Sequence, residues 1–417
     1  MLLLNCKTEK KENANDKEAT EEMVVPENSK WSEKMALSEI HRFPDPTLLD
    51  FQKESRWSYT NGLVLQAIER VYEQTGNQKL YDYVYDYANR MIKEDGTIVT
   101  YDLTSYNLDM IKSGDAIFWL QEKNPEPRFK MAMDTLHKQL EGQPTTSEGG
   151  YWHKKRYPYQ MWLDGLFMAE PFHAKYALKY LEEDEVNKVI DHIVLQLTLL
   201  KNTVETPKPD YIFMDGTKAK NNDGPIRETG LSQHFWSRGM GWYGMAMVDI
   251  LDYLPEEHPG RERIINYLKQ YAEAIVQYQD QGGTWWQVLD LPDRKGNYLE
   301  ATGSCMFTYV LAKGANKGYI SSDYLVNAKK GFDGILEQFV TVEDNGVINL
   351  NKCCGVAGLG GDPYRDGSFD YYVNEIIRSN DPKVQDLLCL RHWNWIGKIF
   401  VFKHYEKRIA NKMIIGI

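Results

Sequence analysis

Apolar residues recur at helical spacing along most of the chain. Leu63, Ala67, Ile68 and Val71 fall on one helical face, and Leu80, Val84, Tyr87, Ala88 and Met91 on the next. The same period predicts helices over roughly 108–120, 128–140, 161–180, 185–201, 236–253, 260–279, 302–314 and 322–339. Several of these stretches close alike, on Glu94-Asp95-Gly96-Thr97-Ile98, Asp280-Gln281-Gly282-Gly283-Thr284-Trp285 and Glu343-Asp344-Asn345-Gly346-Val347-Ile348. In each, a polar glycine turn can take the left-handed conformation that stops a helix, and a short apolar step follows. Related helix–turn units point to an array of helical hairpins. About 370 residues at ~30 per helix and loop amount to about twelve helices, which close into six hairpins around an axis or stack as a solenoid.

The pattern fails at both ends. Residues 1–30 are dominated by Lys, Glu and Asn and predict a disordered tether. Their start, Met1-Leu2-Leu3-Leu4-Asn5-Cys6, followed by a polar run, resembles the end of a bacterial lipoprotein signal in which Cys6 carries the lipid. That reading predicts a periplasmic or membrane-anchored protein; the alternative is an incidental tail. At the other end, residues 384–417 follow no helical or strand period. Plausible codons for Val384 to Trp395, read in a neighbouring frame, give GTGPFVFAALEL, a helix-forming ending. A one-base frameshift would explain the tail, as would genuine divergence. The expected organisation is therefore a tether over 1–30, a helical catalytic domain over 31–383 and an atypical tail over 384–417.

Composition narrows the ligand. A net charge of −11 argues against nucleic acid, which needs clustered Lys and Arg. The chain has 27 Tyr and 11 Trp, whose flat faces and polar tips suit a sugar cleft, although most will fill helix interfaces. Cys6, Cys305, Cys353, Cys354 and Cys389 show neither zinc spacing nor a disulfide pattern. No apolar run approaches the roughly 20 residues of a membrane span.

The densest chemistry lies in GGYWHKKRYPYQMWLDGLFM, residues 149–168. A Gly-rich aromatic loop leads through Pro158 into a helix that carries Asp164 in its first turns. Apolar neighbours Trp162, Leu163, Leu166 and Phe167 would raise its pKa and suit a general acid; the helix N-terminus would favour the charged form instead. His153 and Lys154 lie on the loop before it, where they either meet an anionic substrate or face solvent. A second segment, residues 228–243, places Trp236 and Trp242 around Arg238, residues that can stack on a sugar and pair with a carboxylate or pack a Gly-rich helix junction. Asp109, in Asn107-Leu108-Asp109-Met110, either caps a helix or pairs with Asp164 as the second carboxylate of a glycosidase. Gly358 to Tyr372 predicts a loop over the mouth of the helical array.

Together, LDMIKSG, GGYWHKKRYPYQMWLDGLFM, ETGLSQHFWSRGMGWY, ATGSCMFTYVLAKG and GLGGDPYRDGSFDYY closely resemble glycoside hydrolase family 105, the unsaturated rhamnogalacturonyl hydrolases. The resemblance covers roughly residues 40–383. It implies an all-α (α/α)6 barrel and a substrate oligosaccharide with a 4,5-unsaturated uronic acid at its non-reducing end. It puts the catalytic aspartate at Asp164 and the second active-site aspartate at Asp109. It assigns substrate contacts to His153, Lys154, Trp236, Arg238 and Trp242. It implies no metal and no organic cofactor. One departure stands out. Where the family has a histidine in a YHGWDES-like segment, this chain has Asp210-Tyr211-Ile212-Phe213-Met214-Asp215-Gly216-Thr217. The departure bears on substrate identity, so an unsaturated glucuronyl hydrolase is the nearest alternative, and a non-catalytic glycan-binding lipoprotein the alternative of another class.

Overall fold

Two kinds of helix alternate along the computed structural model, which describes residues 25–205, 213–214, 234–359 and 365–383. The helices are α1 (Trp31–Arg42), α2 (Tyr59–Thr75), α3 (Gln78–Met91), α4 (Gly114–Lys123), α5 (Pro127–Glu141), α6 (Leu163–Tyr180), α7 (Glu183–Glu205), α8 (Ser237–Ile250), α9 (Pro259–Gln277), α10 (Ala301–Asn316), α11 (Leu325–Gln338) and the short α12 (Phe369–Asn374). α3 buries Leu80, Tyr83, Val84, Tyr87, Ala88 and Met91 and turns its polar face outward. That single stripe marks a helix covered on one side only. α8 is buried along its whole length, and α10 from Ala301 to Ala315. Helices apolar all round belong inside a ring of others.

Packing follows from this division. Inner helices α2, α4, α6, α8 and α10 touch in that order around the axis, and α3, α5, α7, α9 and α11 each cover the inner helix before them. This is the alternation of an (α/α)6 barrel, the fold expected from the sequence. The glycine turns recur where outer helices end: Gly96 follows α3, Gly283 follows α9 and Gly346 follows α11, all with positive φ. At Gly283 the constraint is also steric, because a Cβ there would lie 2.1 Å from the Lys330 carbonyl oxygen.

Short antiparallel pairs decorate the end where the inner helices start. β1 (Gln160–Met161) pairs with β2 (Phe213–Met214), and β3 (Trp285–Trp286) with β4 (Leu299–Glu300). β5 (Val340–Val342) pairs with β6 (Ile348–Leu350), and β7 (Cys353–Cys354) with β8 (Ile377–Arg378). Predicted helix bounds are met within a few residues, with one informative exception. The stretch expected as a helix over 108–120 is broken into a 3-10 turn, Leu108–Ile111, and α4. Val25, inside the expected tether, is buried and donates its N–H to the Asn345 carbonyl. Cys6 and the tail from Val384 onward lie outside the described residues.

Candidate active site

The break before α4 builds the site. The loop after α5 is stitched to it by backbone bonds: Leu108 N–H donates to the His153 carbonyl (3.0 Å), and Lys155 N–H to that of Tyr106 (3.2 Å). The loop is closed on itself by His153 N–H to the Gln160 carbonyl (2.7 Å) and Tyr157 N–H to that of Lys154 (2.9 Å). Two chain segments far apart in sequence are thereby held side by side. Asn107, not Asp109, caps the 3-10 turn, its Oδ1 accepting from Asp109 N–H at 3.2 Å. The Asp109 carboxylate is left for other work. His153 Nε2 lies 3.0 Å from its Oδ1, and Lys154 Nζ makes a close ion pair with its Oδ2.

These groups are nearly dry: His153 is 1% exposed, Asp109 7% and Lys154 8%. Burial alone would raise the Asp109 carboxyl, but the Lys154 charge and the His153 hydrogen bond overcome it and hold the group well below the usual carboxylate range. Burial pushes the His153 imidazole down, against the pull of Asp109, so the ring is neutral and donates from Nε2. The expected alternative for His153 and Lys154, a solvent-facing loop, is thus not what the fold makes of them.

α6 then presents Asp164 in its first turn. The preceding Trp162 carries an aromatic stack, with the His153 ring 4.6 Å away on one contact and Tyr157 at 5.4 Å on the other. Gly165 is required by this arrangement: a Cβ there would come within 2.9 Å of His153 Nδ1 and 3.0 Å of Leu108 Cδ1. Asp109, Asp164, His153 and Lys154 line one cavity of about 560 Å³. Its other walls include Tyr59, Arg156, Tyr157, Trp162, Arg365, Tyr371 and Glu375. Such a volume suits a small saccharide.

Trp236, Arg238 and Trp242, the contacts expected from the resemblance, are not brought to that wall. Each is about 1% exposed. The reason is that α8 is buried on every side, so its first residues face protein in all directions. The Trp236 indole donates to Gln287 Oε1 (3.1 Å), and Trp242 stacks on Phe167 with centroids 5.2 Å apart. Arg238 donates to the Cys354 carbonyl at 2.7 Å and the Gly355 carbonyl at 3.4 Å. It therefore anchors the strand that continues into Val356 and Ala357, which do line the cavity.

Sequence reasoning missed several wall residues. Arg156 and Tyr157 stood inside the quoted loop, and Arg365 and Tyr371 in the segment predicted to cover the mouth. Tyr59 opens α2 with no local signal; only the convergence of inner-helix starts reveals it. Of the segment lacking the family histidine, only Phe213 and Met214 lie within the described residues. The backbone of Phe213–Met214 pairs with Gln160–Met161, the strand that runs into Asp164.

The model of Glycosyl Hydrolase Family 88 matches residues 31–393. Among solved structures, the chain is similar to a Family 105 glycoside hydrolase of C. acetobutylicum, with 38% identity and a TM-score of 0.80 over 87% of this chain and 99% of that one. An unsaturated rhamnogalacturonyl hydrolase of Bacillus subtilis is 24% identical over 309 residues, 72% of this chain and 80% of the relative. An unsaturated 3S-rhamnoglycuronyl hydrolase of an Alteromonas strain is 32% identical over 139 residues, 33% of this chain and 32% of its own length.

Proposed function

This chain belongs to Glycosyl Hydrolase Family 88, with a Family 105 enzyme as its full-length structural relative, and on that premise we propose how its cavity acts. It is a glycoside hydrolase that releases a terminal 4,5-unsaturated uronic acid from lyase-generated oligosaccharides. The double bond at C4=C5 is hydrated, and the anomeric carbon is not attacked. Asp164 delivers a proton to C4, which leaves an oxocarbenium-like centre at C5. Its carboxylate then takes a proton from the water that attacks C5. The resulting hemiketal opens and frees the neighbouring sugar, so one water is consumed per bond cleaved and Asp164 ends protonated as it began.

The observation that carries this assignment is the state of Asp109. Held ionised by Lys154 and His153, it has no proton to give and serves as an acceptor for substrate hydroxyls. Glu375, the third carboxyl on the wall, is engaged by the Tyr371 hydroxyl. The proton donor is then Asp164. Because Lys154 is committed to Asp109, the charge that meets the uronate carboxylate comes from Arg156 and Arg365.

Specificity is the point at which this chain departs from its family. The segment Asp210 to Thr217 has no histidine, and Phe213 and Met214 stand near the position where the family carries one. A site that hydrogen-bonds a substrate group rejects analogues lacking it strongly, whereas an apolar one discriminates weakly. The enzyme therefore accepts a broader set of unsaturated disaccharides, glucuronyl as well as galacturonyl. The test is loss of the ultraviolet absorbance of the conjugated bond across a panel of lyase products. Turnover of several members supports the reading; strict preference for unsaturated galacturonyl-rhamnose contradicts the specificity; turnover of none contradicts the function.

A further inference from the structure

The opposite end of the barrel holds a second cavity, of about 730 Å³, larger than the catalytic one. It is formed where the inner helices end, by residues between Gln66 and Glu73 of α2, Phe118 and Glu122 of α4, and Lys175 and Lys179 of α6, by Asp252 and Tyr253 just past α8, by Tyr309 and Lys313 of α10, and by Lys317 just past it. Helix C-termini attract cations, which accounts for the lysines gathered there. Those cations are spoken for. Arg70 pairs with Asp249 (2.8 Å), Lys175 with Asp115 (3.3 Å) and Lys179 with Glu122 (2.8 Å). Lys313 pairs with Asp249 and Asp252, and Lys317 with Asp252. The cavity is thus not built as an anion site.

One polar group is left over. Glu69 is 6% exposed, lines the cavity, and its Oε2 has no hydrogen-bond partner among the described residues. The other acids on the wall are taken: Glu73, for example, accepts from the Trp119 indole at 2.8 Å and pairs with Lys123 at 2.7 Å. Burial pushes the Glu69 carboxyl up to about 8, against the opposing charges of Lys175 and Arg70, so at neutral pH it is an uncharged acid that both donates and accepts. A buried acceptor without a partner is costly, and a ligand that completes it gains what the protein alone leaves unmade. An uncharged acid among charges that are already paired offers a cationic donor no counter-charge. What fits is an uncharged hydroxyl. Phe118, Trp119, Tyr253 and Tyr309 also line the cavity, with Lys175 over the Phe118 and Tyr253 rings and Arg70 over that of Tyr309, so ring carbon and paired polar groups share the wall as they share the surface of a sugar.

We propose that this second cavity binds a neutral saccharide, with Glu69 engaging one of its hydroxyls. The site is separate from the catalytic one and takes a ligand without a carboxylate.

The test is calorimetric titration of the full chain with L-rhamnose and D-galactose, and with galacturonate and glycerol in parallel, on wild type, Glu69→Gln and Glu69→Leu. Saturable binding of at least one neutral sugar is expected in wild type. Glu69→Gln, which keeps an acceptor, should retain it. Glu69→Leu should weaken it by about tenfold or more, the worth of a hydrogen bond to a buried group. Replacing an unpartnered acceptor by an apolar group does not destabilise, so Glu69→Leu should unfold at the wild-type temperature or above it and keep its turnover of unsaturated substrate. Three results would overturn the assignment: no saturable binding of either sugar, binding unchanged in Glu69→Leu, or galacturonate or glycerol binding as well as the neutral sugars do.

Discussion

Asp164→Asn separates chemistry from folding, because the structure assigns the two different sizes. The amide keeps the shape of the side chain and removes its titratable proton. General acid–base catalysis contributes at least ~10²-fold, and at ~1.36 kcal/mol per tenfold the variant forfeits about 2.7 kcal/mol of transition-state stabilisation or more. On the folding side, Asp164 stands in the first turn of α6 and is partly exposed. Protonated as the mechanism has it, the side chain gains less from the helix N-terminus than the ~0.3–1 kcal/mol of an ionised carboxyl, and in a domain of this size that moves Tm by no more than about 4 °C. The assay is the decay of the conjugated-bond absorbance of lyase-digested pectin, read beside a thermal melt. Expected is a fall in kcat of at least ~10²-fold with a melt displaced by a few degrees at most. Glu375→Gln is the control on the wall carboxyl that the Tyr371 hydroxyl engages and should leave kcat within about tenfold of wild type, since it supplies no proton to carbon. A folded Asp164→Asn enzyme turning over near the wild-type rate, or a larger loss in Glu375→Gln, would refute the mechanism.

Three further outcomes are expected. Lys154→Met strips a buried carboxylate of its cation, which costs about 3 kcal/mol, the lower end of the ~3–5 kcal/mol for broken buried pairs, because His153 goes on donating to Asp109. Asp109 has a depressed folded-state pKa, so its contribution is complete above the unfolded value of about 3.9 and is lost as pH falls through the folded value; denaturant melts should show the gap between wild type and Lys154→Met closing below about pH 4, and a gap constant from pH 7 to pH 3 would count against the ion pair. Trp242→Ala should cost ~3–5 kcal/mol of stability, as for other buried large-to-small changes, and leave KM nearly unchanged; a stable variant with a raised KM would instead restore the sugar-stacking role expected from the resemblance. We also propose that Cys6 carries a lipid, so the native protein should fractionate with membranes and Cys6→Ala should release it; a wholly soluble native protein would sink that reading.

Much of the fold was legible before any coordinates. Helix spans follow from a 3.6-residue apolar period, and that period is set by local geometry that each window of sequence carries on its own. The left-handed glycines after α3, α9 and α11 were legible for the same reason: a positive φ is a property of one residue. The candidate carboxylates were legible as residues but not as states. Whether Asp109 caps a turn or receives Lys154 and His153 depends on a loop some forty residues onward, joined to it by backbone bonds that no local pattern encodes.

The sequence by itself therefore determined the alternation of helices, the positions where they stop and the residue types available for sugar chemistry, since these rest on near-neighbour interactions along the chain. Tertiary structure alone decided which of those residues meet. It gathered the starts of the inner helices around Asp109 and Asp164, and it turned Trp236, Arg238 and Trp242 into the interior because α8 has no free face. It also collected Glu69 and the paired lysines at the far end. Burial and charge pairing are sums over every neighbour in space, and a barrel draws those neighbours from the whole length of the chain.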